Sequence, residues 1–145
     1  MKLGKILKNI LIIGFIIACI LLIFVPFILS NVKYAMFIAY PNGVVMLAIT
    51  YQFIKLFKSL EDNTPFTHDN VKILKHTGIL SLTESILWLI DLISLIFVLK
   101  NTYINYIIVL IFLTILFFGV FIALLILSEL FKQATTYKEE NDLTI

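Results

Sequence analysis

The stretch ILSLTESILWLIDLISLIFVL, residues 79–99, is apolar and long enough to cross a bilayer, yet it carries Glu84 and Asp91. At about 1.5 Å of rise per residue, a helix through it covers the roughly 30 Å hydrocarbon layer. The two carboxylates stand seven residues apart, close to two turns and about 10 Å, so they point from one helical face. Ser81, Trp88 and Ser94 extend that face into a polar seam. A charged side chain at mid-bilayer costs about 2.5–3.5 kcal/mol on insertion scales, so the seam is expected to face protein or enclosed water and not lipid.

Outside this stretch the chain keeps the same character. It has 145 residues, 61% hydrophobic and only 14% charged, with a mean hydropathy of +1.09, which indicates one membrane domain over residues 1–145 and not a soluble globule. Four apolar runs predict spans at about 10–29, 34–57, 77–99 and 106–127, with a loop at 58–76 and a tail at 128–145. The expected fold is all-α, four transmembrane helices in an antiparallel up-down bundle, with the third span most buried and the first and fourth most exposed to lipid.

Charge placement predicts the orientation. Nine lysines, Lys2, Lys5, Lys8, Lys55, Lys58, Lys72, Lys75, Lys132 and Lys138, flank one side of the spans, whereas only Lys33 and Lys100 flank the other. By the positive-inside rule both termini are cytoplasmic, and the expected location is a bacterial plasma membrane. Tyr34, Tyr40, Tyr103 and Tyr106 gather at the opposite face, where an interfacial aromatic belt would stand.

Each span has its own punctuation. The first is too long for a signal peptide and is read as retained. Ile16-Ile17-Ala18-Cys19 loosely fits a lipoprotein cleavage box, but the apolar residues after Cys19 favour a cysteine packed in a helix. Pro26 bends or ends that helix. The second run is interrupted by Tyr40-Pro41-Asn42-Gly43, so its helix either starts near Asn42 or runs from Tyr34 with a break at 41–43. In the loop, Thr67 has the chemistry of an N-cap, Asp69 suits the positive end of a helix, and Phe66 and Val71 stand at staple positions. These signals start a helix at about His68, with Gly78 as a flex point before the third span. The fourth run continues amphipathically past Phe131 into the acidic tail Glu139-Glu140-Asn141-Asp142.

Thr64-Pro65-Phe66-Thr67 with Asn70, and Leu127-Ser128-Glu129-Leu130-Phe131-Lys132 leading to Glu139-Glu140-x-Asp142-Leu143-Thr144-Ile145, resemble a bacterial family of small four-helix membrane proteins designated domain of unknown function 2975. Here Thr64 replaces that family's usual glycine, and lysine replaces the arginines common in its tail. Members of the family are commonly encoded beside a short helix-turn-helix regulator. The resemblance therefore implies a membrane component that senses a signal and holds or releases a DNA-binding partner, without itself touching nucleic acid.

The residues argue against catalysis. The absence of arginine removes bidentate phosphate clamps, and the single Cys19 excludes a CxxC site. His68 and His76 lack the i, i+4 spacing of a helical metal pair. No enzyme, metal or cofactor is expected. For Glu84 two readings stand side by side. In one, Glu84 pairs with Lys55 and Asp91 bonds Thr50 or Gln52. In the other, the acids form a cation, proton or ligand site. The expected role is a non-enzymatic sensor or regulator whose partner-binding surface comprises Phe66, Asn70, Glu129, Phe131, Glu139, Glu140 and Asp142. The alternatives are a homodimeric transporter or channel using Glu84 and Asp91 as coupling acids, and an immunity protein against a membrane-active peptide.

Overall fold

The computed structural model describes residues 2–28, 33–97 and 104–143. Four α-helices run up and down through them: α1 (Lys2–Ile28), α2 (Lys33–Glu61), α3 (His68–Phe97) and α4 (Ile104–Leu143). Each is long and apolar enough to cross a membrane, and the described residues contain no strand. With 30 residues α3 is about 45 Å long, and with 40 residues α4 reaches about 60 Å, so both project well beyond a hydrocarbon layer.

The bundle is open. Among the described residues α1 packs only on α2, α2 also packs on α3, and α3 also packs on α4. An inner helix has two protein neighbours and an outer helix one, which is why α3 is the most buried span and α1 and α4 the least. The outer pairs are close-packed through small residues. A Cβ at Gly43 of α2 would collide with Leu22 of α1, and one at Gly78 of α3 would stand 3.5 Å from the Leu124 Cβ of α4. Ser85 Oγ donates to Thr114 O at 2.9 Å, and Ser128 Oγ donates to Val71 O at 3.1 Å, which fixes the α3–α4 register at two levels, near the start of α3 and at its middle.

Several local expectations change. Neither Pro41 nor Gly78 interrupts its helix, whereas Cys19 lies within α1 as expected and α1 is described for two residues past Pro26, to Ile28. Proline is tolerated in a membrane helix where neighbouring groups satisfy the freed backbone. Next to Pro41, whose missing N–H would have bonded Phe37 O, Asn42 Nδ2 donates to the neighbouring carbonyl, Ile38 O, at 2.8 Å. Gly78 lies within a continuous α3 and packs against Leu124 of α4.

The turn between α2 and α3 is capped on both sides. Asn63, with φ 58°, ends α2 in the left-handed conformation, and Thr64 N donates to Ser59 O at 3.0 Å across it. This is a Schellman stop with asparagine in the usual glycine position. Three residues later Thr67 Oγ1 accepts from Asn70 N at 3.3 Å and α3 begins at His68, as the N-cap reading predicts.

One end of the molecule collects the start of α1, the end of α2, the start of α3 and the end of α4. Lys8 pairs with Glu61 there, and His68 Nε2 lies 3.0 Å from Glu139 Oε1. This is the lysine-rich end. Tyr40 and Tyr106 are exposed toward the other end; the side chain of Tyr34, the residue Tyr103 and Lys100 lie outside the described residues.

Candidate functional site

The α3 face toward α2 carries a line of side chains at alternating spacings of four and three: Asn70, Leu74, Thr77, Ser81, Glu84, Trp88 and Asp91. All but Trp88 are buried, and Trp88 is half-buried. The line rises about 31 Å along the helix, on the order of the hydrocarbon thickness. Its single aliphatic member is Leu74, which forms an apolar cluster with Leu56 of α2 and Leu124 of α4, backed by Phe53, Ile73, Val120 and Phe131. Thr77 Oγ1 donates to Ile73 O at 2.7 Å and Ser81 Oγ to Thr77 O at 3.0 Å. Each hydroxyl thus spends its proton on its own helix and keeps its oxygen free to accept.

Glu84 is 0% exposed, and among the described residues neither of its carboxyl oxygens has a hydrogen-bond partner. The Trp88 indole N–H lies beside that carboxyl without closing a bond of normal geometry, so it too is unpartnered. Two turns along, Asp91, 8% exposed, accepts from Asn42 Nδ2 at 2.7 Å. With both Nδ2 hydrogens used, on Asp91 and on Ile38 O, Asn42 is left with an unpartnered Oδ1. The seam therefore holds three orphan acceptors and one orphan donor, all buried.

Two expected pairings do not form. Lys55 sits over the Tyr51 ring at 4.5 Å and does not reach Glu84. The register explains this. Gln52 Nε2 lies 3.5 Å from His76 Nδ1, and Lys55 shares a cavity of about 300 Å³ with Asn70 and Ile73, about eleven residues and 16 Å along α3 from Glu84. Asp91 is likewise held by Asn42 and not by Thr50 or Gln52. Thr50 donates to Met46 O and lines the cavity between α1 and α2, on the wrong face of its helix, while Gln52 is at the level of His76.

Asn42 is the site residue missed in the sequence, where Pro41 and Gly43 on either side read as turn chemistry. Its signal is the four-residue return to Ile38 within a helix that continues. Thr77 and Asn70 were missed as members of the line, and the three-four alternation running from Asn70 to Asp91 is what would have found them. Ser81, Trp88 and Glu84 lie on the line as expected, and Ser94, one turn beyond Asp91, is half-buried.

At the lysine-rich end the expected partner surface divides. Asn70 does not belong to it. It is 2% exposed and its Nδ2 is directed at Ser59 Oγ (2.6 Å), Pro65 O (2.7 Å) and Thr64 O (3.2 Å), latching the turn to α3. A buried amide donor with three acceptors is committed to the fold. Phe66 is exposed but packs on Phe131 with ring centroids 5.3 Å apart, joining the turn to α4. Glu129, Glu139 and Glu140 are exposed on the α4 extension, Glu129 near Lys132 at 3.7 Å. The Asp142 side chain, Thr144 and Ile145 lie outside the described residues.

Four membrane-length helices around a buried acidic seam define a small multi-pass, all-α membrane protein. Residues 28–145 match the family described as protein of unknown function (DUF2975), and the chain belongs to that family. The match takes in α2, α3 and α4 and leaves almost all of α1 outside it. No curated protein and no solved structure matches the chain.

Proposed function

We propose that this protein is a non-enzymatic regulator of a bacterial plasma membrane, in which a change at the Glu84–Asp91 seam is passed along α3 to a cytoplasmic surface built from the 62–67 turn and the α4 extension. The observation that carries this reading is the continuity of α3. One unbroken helix bears the unpartnered acid in its membrane half and the Asn70 latch near its first turn. A shift or rotation of α3 at Glu84 thus moves the turn, and α4 follows through the Ser128–Val71 bond, the Phe66–Phe131 contact and the His68–Glu139 pair. Rigid helices with two packed arrangements are a known means of such coupling.

The output surface comprises Phe66, Glu129, Phe131, Glu139, Glu140 and Asp142, and its partner is a small helix-turn-helix regulator bound through protein contacts. Both termini are cytoplasmic by the lysine distribution. The test is a crosslinked pull-down of the intact protein from its host in mild detergent, with mass spectrometry of the captured proteins. Recovery of a helix-turn-helix protein that disappears when residues 139–145 are deleted supports the reading. A truncated chain that inserts and still regulates normally removes the tail as output.

A transport reading is favoured by one observation, that among the described residues no hydrogen bond is closed to Glu84 and the helices enclose no bundle interior. Under it the protein works as a homodimer. Ion or solute flux in liposomes that is lost in Glu84→Gln and Asp91→Asn would establish it, and absence of flux in the unmodified protein would dismiss it.

A further inference from the structure

The orphan groups of the seam specify what fits between them. Glu84 Oε1, Glu84 Oε2 and Asn42 Oδ1 need donors, while Trp88 Nε1 needs an acceptor. A metal ion cannot serve the Trp88 N–H, and among the described residues no trio of His, Cys, Asp or Glu converges on one point. An ammonium group satisfies the oxygens but offers the indole nothing. Water donates twice and accepts twice, and a buried water needs two to four polar partners, which these groups and the free lone pairs of Ser81 and Thr77 supply. Glu84 and Asp91 are about 10 Å apart along the helix, a gap that about three hydrogen-bonded waters at ~2.8 Å can bridge.

The two ends of the line differ. Toward the end opposite the lysines, Asp91 and Asn42 lie about 9 Å from Phe97, the last described residue of α3. Toward the lysine-rich end, Leu74 with Leu56 and Leu124 closes the line with side chains that carry no polar atom. The titratable groups around Glu84 are few. On α3 they are Asp91 and, eight residues back, His76; on α2 Tyr40 lies toward Asp91, and Tyr51 and Lys55 lie toward the lysine-rich end, Lys55 about 16 Å from Glu84 along the helix; on α4 none occurs between Ile107 and Ser128.

We propose that the α2–α3 seam is a one-sided proton path: water admitted at Asp91 and Asn42 carries a proton to Glu84, and the Leu56–Leu74–Leu124 cluster seals the path from the lysine-rich end. The step is a relay. The O–H bond of the Asp91 carboxylic acid breaks as its proton passes to a water, each water hands one proton on, and a new O–H bond forms at a Glu84 oxygen. Asp91 is reprotonated from the solution on its own side. This names the signal for the regulatory reading above and rests on it only for the role of Glu84, not for the identity of the output surface.

The experiment uses the full chain reconstituted in phosphatidylethanolamine/phosphatidylglycerol vesicles, with the proton itself as probe. Below the ordinary carboxylate range, the infrared carbonyl band that is missing in Glu84→Gln reports exchange of the Glu84 proton for deuterium. Exchange is expected to be fast in the unmodified protein and several-fold slower in Asn42→Leu and in Asp91→Leu. Unchanged exchange in both would overturn the entry route. In a vesicle pH-dye assay the unmodified protein should pass no more protons than protein-free vesicles. Leu74→Ser should raise flux above that background, and adding Glu84→Gln should abolish the gain. A folded, helical Leu74→Ser without flux, or flux unaffected by Glu84→Gln, overturns the seal. Loss of the pull-down partner with normal exchange would instead count against the output surface alone.

Discussion

Replacing Glu84 with methionine should stabilise this protein. The carboxyl is 0% exposed and neither oxygen has a partner among the described residues, so the fold carries a buried polar group for which none of them compensates. An unsatisfied buried group costs about 1–3 kcal/mol, and exchange of buried ionic groups for apolar ones of similar volume ranges from neutral to about 4 kcal/mol stabilising. Methionine has nearly the length of glutamate and adapts to irregular space, so neither a cavity nor overpacking offsets the gain. Water at the seam recovers part of the penalty, which places the expected gain at about 1–2 kcal/mol. Trp88 is the single tryptophan of the chain and sits one turn from the substitution, so its fluorescence in a dodecyl sulfate unfolding titration reads this region directly. The same titration should show a smaller change for Glu84→Gln, which removes the charge but keeps polar atoms buried. A loss of a kilocalorie or more in Glu84→Met would refute the reasoning, because it would mean that the carboxyl is held by bonds and is not an orphan.

Asn42→Leu should act in the opposite direction, destabilising by about 1–3 kcal/mol in the same titration, because it leaves the Asp91 carboxyl without its 2.7 Å donor. Asn70→Ala should cost about 1–3 kcal/mol and accelerate amide hydrogen exchange at residues 62–67 while leaving the seam unchanged, since three acceptors of the turn share its one amide group. Lys55→Gln should change stability by less than about 0.5 kcal/mol and leave Glu84 proton exchange as it is, because its ammonium lies over Tyr51 and not at the acid. An effect of Lys55→Gln on that exchange would restore the ion pair between the two.

The architecture was largely legible because membrane length and hydropathy are local properties of the chain. So was the start of α3, where Thr67 and His68 obey an N-cap rule that involves only neighbours in sequence. The polar seam was half legible. Helical pitch places Glu84, Trp88 and Asp91 on one face without any knowledge of the neighbouring helix. What lies opposite them depends on the α2–α3 register, and nothing in the sequence fixes that register. Lys55 looked like the partner of Glu84 because both lie in the same half of the membrane, yet an offset of about 16 Å along the helices separates them. Asn42 was hidden for a different reason. Between proline and glycine it has the chemistry of a turn, and only the continuation of α2 through Pro41 turns it into the one described donor to Asp91. Asn70 misled in the same way, since a polar residue near a loop is usually exposed and this one is the latch that shapes the loop.

The distribution of packing gives the seam its meaning. The α1–α2 pair meets closely at Gly43 and Leu22, and the α3–α4 pair meets at Gly78 and Leu124 and is bonded at Ser85–Thr114 and Ser128–Val71. The α2–α3 interface between them is where the polar groups gather: Asn42 with Asp91, Gln52 with His76, Ser59 with Asn70, and the orphan Glu84 among them. In hydrocarbon, helices associate through packing and through hydrogen bonds that are individually modest, and a polar interface carries a penalty wherever a group is unmatched. At the α2–α3 line the hydrogen bonds at Asn42–Asp91 and Ser59–Asn70 hold the helices together, while the unmatched Glu84 between them works against that association. The proposed protonation of Glu84 would act at this unmatched line. The same interface ends at the Asn70 latch, where the turn meets α4 through Phe66 and Phe131 and α2 meets α1 through Glu61 and Lys8, so under the proposed regulatory reading these are the contacts that a movement at the line would reach.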